Sequence, residues 1–85
     1  MKIILFGTGC DSCREIAKNI ETAIKLANYE VEFEKTADIH EMLSYGIKST
    51  PSVVIDGHVV SVSKHLDVEE ISRIMNAMNS SEHHA

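Results

Sequence analysis

The chain has 85 residues, 44% of them apolar and 25% charged, proportions that fit one globular domain, leave no room for a second, and exclude a disordered segment. Its formal charge of −5, from 13 acidic against 8 basic side chains without a basic patch, argues against a phosphate backbone as partner, so no nucleic acid is expected. The opening Met1-Lys2-Ile3-Ile4-Leu5-Phe6 places four apolar residues before Gly7, too few for the core of a signal peptide or for a bilayer span. No membrane partner and a cytoplasmic location are therefore expected, where disulfides tend to be transient and catalytic.

Ile3 to Phe6 is a continuous apolar run closed by Gly7 and Gly9, which predicts a strand buried on both faces. From Cys13 onward Ile16, Ala17, Ile20, Ala23, Ile24 and Ala27 recur at helical spacing opposite a charged face, so an amphipathic helix follows. Tyr29, Val31 and Phe33 alternate with Glu30, Glu32 and Glu34, the period of a strand near a sheet edge with a solvated acidic face. Asp38 is placed to cap a short helix through Tyr45, with Ile39, Met42 and Leu43 inward and Gly46 ending it. Val53-Val54-Ile55 and Val59-Val60-Ser61-Val62 flank Asp56-Gly57, a two-residue hairpin signal. The last helix takes Asp67 as N-cap, Glu70 as capping-box-like partner and Leu66 with Ile71 as hydrophobic staple. Ile71, Ile74, Met75 and Met78 form its buried stripe. Residues 79–85 have no periodicity and are read as a flexible tail after a domain of residues 1–78.

Both cysteines of the chain lie in Cys10-Asp11-Ser12-Cys13, between the first strand and the first helix. Two thiols three positions apart at a helix start can close into a disulfide, the arrangement that dithiol exchange requires. The order β-α-β-α-β-β-α, the C-x-x-C after the first strand, and Thr50-Pro51 entering the third together resemble the thioredoxin fold in its short form. The chain looks like a small thioredoxin-like or glutaredoxin-like disulfide oxidoreductase over residues 1 to 78. The resemblance implies an α/β four-stranded mixed sheet with helices on both faces, no cofactor beyond the Cys10–Cys13 disulfide, and protein disulfides as substrates of a monomer. It also implies that Pro51, the single proline, is cis and lies against the active disulfide, so that Thr50 and Pro51 contact substrate. Thr8 and Gly9, just before the pair, line the same site.

Two departures bear on what carries over. The dipeptide between the cysteines is Asp11-Ser12 rather than the usual Gly-Pro of thioredoxins or Pro-Tyr of glutaredoxins, so both residues are read as redox-tuning positions. The stretch Ser63-Lys64-His65-Leu66-Asp67 lacks the glycines with which glutaredoxins help to hold glutathione, which makes a thioredoxin-reductase-like electron donor the better expectation. In the chemistry expected, Cys10 at the helix tip is the nucleophile, its thiolate favoured by unpaired N–H groups and the helix dipole. Cys13, one turn in on the apolar stripe, resolves the mixed disulfide. The Asp11 carboxylate opposes a neighbouring thiolate, which favours a reductant over an oxidant.

Two rival readings use the same residues. Gly7-Thr8-Gly9-Cys10-Asp11-Ser12-Cys13 also looks like the loop of small heavy-metal-binding domains, whose soft thiolate pair suits Cu(I) or Zn(II). That family has a βαββαβ chain and no Thr-Pro before the next strand, and a structural zinc site wants four ligands where only two cysteines exist. His40, His58 and His65 fall in other elements, so no metal ligands are assigned. A non-catalytic thiol adaptor is the other alternative.

Overall fold

The computed structural model describes residues 1–7 and 9–83, with side chains as far as residue 79. Strand β1 (Lys2–Phe6) is an inner strand of a four-stranded sheet, flanked by the second and third strands of the chain, with the fourth beyond the third. That central place is why four consecutive apolar residues are needed: Ile3 and Leu5 face one side of the sheet and Ile4 and Phe6 the other, all buried. β1 pairs in parallel with β2 (Glu32–Thr36) and antiparallel with β3 (Ser52–Ile55), and β3 pairs antiparallel with β4 (His58–Val62). The expected mixed sheet and α/β architecture are observed.

The face carrying Ile3 and Leu5 is covered by two long helices, α1 (Asp11–Leu26) and α3 (Val68–His83). Ile16 and Ile20 of α1 and Ile71 and Met75 of α3 close a core with Val53, Ile55 and Leu66. The opposite face, with Ile4, Phe6 and Val54, is covered by Ile47 and by Met42 and Tyr45 at the short helix α2 (Ile39–Ser44). The Tyr45 ring packs against Phe6 with centroids 5.8 Å apart. Helices thus flank both faces, one side far more thickly than the other.

Local signals account for most boundaries. Asp56 and Gly57 both adopt positive φ, 49° and 82°, as a tight turn between β3 and β4 demands. The Asp38 carboxylate accepts from the N–H groups of His40 and Glu41 and caps α2. Asp67 does the same for Glu70 N–H at 2.8 Å, with Leu66 and Ile71 buried beside it as a staple. The Glu70 carboxylate turns outward, 3.7 Å from the Lys64 Nζ.

Two expectations are corrected, and one helix runs on past its apolar stripe. The second strand begins at Glu32 rather than Tyr29, because the parallel register starts where Glu32 N–H donates to the Met1 carbonyl at 2.9 Å; Tyr29 and Val31 pack on the core from the preceding loop. In α2 only Met42 turns inward, while Ile39 and Leu43 are 66% and 57% exposed. The three share one face at i, i+3 and i+4 spacing, but the small core patch beneath α2 is covered by Met42 with Tyr45, which leaves the rest of that face in solvent. Finally, α3 stays helical to His83, past the end of its apolar stripe at Met78, since residues 79–83 contain neither Gly nor Pro to stop it.

Candidate active site

β1 delivers the chain to Gly7, whose N–H donates to the Thr36 carbonyl at 2.8 Å and whose φ of +122° suits only glycine. Gly9, also at positive φ (85°), then turns the chain into Cys10, which takes an extended conformation as N-cap of α1. Thr8 lies outside the described residues. Cys10 and Cys13 are joined by a disulfide, with their Cα atoms 5.1 Å apart. Cys10 is exposed and its Sγ accepts from Cys13 N–H at 3.1 Å, while Cys13 is 2% exposed. A sulfur in this capping position meets the donors left unpaired at a helix start and the positive end of the helix dipole, both of which favour a thiolate once the bond is reduced.

Asp11 and Ser12 project into solvent. The Asp11 carboxylate accepts from the Arg14 guanidinium at 2.8 Å, one helical turn on. The negative charge beside Cys10 therefore comes with a positive one, a pairing legible as an i, i+3 spacing but assigned no role in the sequence reading.

The Thr50–Pro51 peptide is cis, and its loop reaches the sulfurs through Thr50. A Cβ on Gly7 would come within 2.9 Å of Cys13 Sγ and 3.1 Å of Thr50 Cβ, so both press on the same bare backbone. Thr50, Cys10 and Cys13 line one depression of about 420 Å³, together with Gly7, Ile39, Met42, Leu43 and Lys48. Pro51 does not line it and stands one residue behind. Gly9 and Asp11 line a second depression of about 820 Å³ on the other side of Cys13; Ser12 lines neither. Three serines brace the proline loop: Ser52 Oγ donates to the Ser49 carbonyl at 2.6 Å, Ser63 N–H to the Pro51 carbonyl at 2.8 Å, and Ser63 Oγ to Ser49 Oγ. The roles of Gly7, Lys48 and these serines escaped the sequence reading: Gly7 and Ser63 meet residues far along the chain, Ser52 bonds within its own loop, and only the fold brings Lys48 to the cysteines.

The sequence is similar to those of known proteins. The family model described as thioredoxin domain matches residues 1–76. A thioredoxin of Methanothermobacter thermautotrophicus is 33% identical over 75 residues, covering 88% of this chain and 97% of its own. A thioredoxin of Methanocaldococcus jannaschii is 33% identical over 69 residues, 81% of this chain and 79% of its own. The chain belongs to the thioredoxin family. It is a thiol-disulfide oxidoreductase, and the disulfide at the tip of α1 is its redox centre. Membership in the thioredoxin family also disfavours the metal-transfer reading, whose βαββαβ order differs from the β-α-β-α-β-β-α observed. Among the described residues no group of three or more His, Cys, Asp or Glu could hold a metal ion, and no helix is long and apolar enough to cross a membrane.

Proposed function

We propose that this thioredoxin-family enzyme acts as a reductant of protein disulfides, with Cys10 attacking and Cys13 resolving. The observation that carries the assignment is the asymmetry of the pair: Cys10 is exposed at the helix tip and its Sγ accepts an N–H at 3.1 Å, while Cys13 is buried. In the reduced enzyme the Cys10 thiolate attacks one sulfur of the partner's disulfide, forming a mixed disulfide and expelling the other partner sulfur as a thiolate. Cys13, deprotonated, then attacks Cys10 Sγ, forms the Cys10–Cys13 bond and releases the second partner sulfur. Two electrons pass to the partner, whose two thiolates take up the two protons that the enzyme's thiols have lost. No cofactor is required, because the Cys10–Cys13 dithiol itself holds the two electrons and gives them up as its sulfurs join.

The direction rests on charge. Asp11 opposes a thiolate at Cys10, and Arg14 offsets part of that effect from solvent, where ion pairs act weakly. The helix tip therefore stabilises the thiolate less than in a strong oxidant, which leaves the dithiol a better electron donor. Thr50, Pro51 and Gly9 are the substrate-facing backbone in this reading, and Asp11 and Ser12 the tuning pair. A thioredoxin-reductase-like protein regenerates the dithiol, in a reducing compartment such as the cytoplasm.

Insulin-disulfide reduction coupled to such a reductase tests the assignment. Cys10→Ser should abolish turnover, and Cys13→Ser should accumulate a mixed disulfide, visible as a covalent adduct on non-reducing gels. Turnover by the Cys10→Ser enzyme would overturn it.

A further inference from the structure

Beside the exposed sulfur lies a wall that the fold leaves uncovered. Ile39 and Leu43 sit one turn apart on α2, 66% and 57% exposed, and line the same depression as Cys10 and Thr50. A short helix gains nothing for its own core from these two side chains, since Met42 and Tyr45 already cover Phe6 and Ile4. At the rim of this depression stands Lys48, the single charged side chain among its walls. Arg14, Lys35 and Lys64 each have a carboxylate nearby, at 2.8, 3.9 and 3.7 Å. Among the described residues Lys48, like Lys2, Lys18, Lys25 and Arg73, has none, and of these it alone lines the depression with Cys10. A chain of net charge −5 thus presents an unpaired cation and an apolar wall next to its reactive sulfur.

We infer that this groove selects, among protein disulfides, those whose attacked cysteine sits in an extended segment bearing an apolar side chain and a carboxylate within two residues of it. The apolar side chain covers Leu43 and Ile39, and the carboxylate meets Lys48. The occupant must be a partner segment, because a mixed disulfide with Cys10 holds the partner's chain across this depression. The inference rests on the reading of Cys10 as the attacking sulfur. Charge at the rim of such a contact acts on capture more than on final affinity.

Peptides closed by a disulfide test it, identical except for Asp or Lys one or two positions from one cysteine, with Leu adjacent to that cysteine. Wild-type enzyme is expected to reduce the best Asp peptide with kcat/KM about three- to fivefold above its Lys counterpart, the range of a partly exposed ion pair. The preference should fade as salt is raised past physiological strength. Lys48→Glu should invert the ratio, Lys48→Ser should level it, and Leu43→Ser should lower kcat/KM for both peptides alike. Equal rates on the two peptides at every position, or a ratio untouched by Lys48→Glu, would overturn the inference. Bis(2-hydroxyethyl) disulfide, too small to reach Lys48, separates the two levels: a wild type that reduces it but does not discriminate the peptides fails only in docking, and one that reduces neither fails in its assigned chemistry. Concentration-dependent dimerisation of the wild type, dispersed by Leu43→Ser in sedimentation, would give this wall to a second copy of the chain and overturn it too.

Discussion

Gly7 shows what a single missing side chain does at this site. Its hydrogen leaves room for Cys13 Sγ and Thr50 to meet over bare backbone, and its positive φ aims the chain at Cys10. Gly7→Ala should cost roughly 2 to 4 kcal/mol in urea denaturation, because a Cβ there is both strained and overpacked. The same variant should slow insulin reduction, since Thr50 must move from the sulfurs to make space. At this scale the sequence was legible where a residue's place in the fold shows in its neighbours: Cys10, Cys13, Thr50 and Pro51 stand in short recognisable strings. Gly7 was legible only as the end of a strand, because the atoms that forbid its side chain include Thr50, 43 positions on.

Elements followed the same division between near and far. The Asp56-Gly57 hairpin and the Asp38 and Asp67 caps are decided within a few residues, and each forms where its local chemistry puts it. The second strand started late and α2 turned two apolar residues outward, because register with β1 and competition for one small core patch are settled by the sheet. The proline loop is the clearest case of an element held from outside itself, by Ser63 from beyond β4 and by Ser52 at its own edge. Ser52 is 0% exposed, so Ser52→Ala should lose about 1 kcal/mol of stability in the same urea measurement. It should also lower kcat/KM on protein disulfides while Cys10 still reacts with iodoacetamide at the wild-type rate, a split that marks the loop as docking rather than chemistry.

Across the whole molecule, the sheet divides two unequal cores: a large one under α1 and α3, and a small one under α2. The fold was legible at this level because strand and helix patterns alternate cleanly over a short chain, leaving few topologies to choose among. The thick side anchors α3 through Ile71 and Met75, with Ile74 and Met78 partly buried beside them. We expect a chain ending at residue 79 to keep its unfolding free energy within about 0.5 kcal/mol of the full length, measured by urea titration. A larger loss would extend the domain past the boundary at residue 78. The central strand also sets a polarity. Lys2 N–H donates to the Asp56 carboxylate and Asp56 N–H to the Lys2 carbonyl, so the first residues are stitched to the hairpin, and five strand residues, about 17 Å, separate them from the sulfurs. The molecule therefore has a handle and a working end. A surface linker or fluorophore attached ahead of Met1 leaves the disulfide pointing away from its anchor, ready to fish for clients.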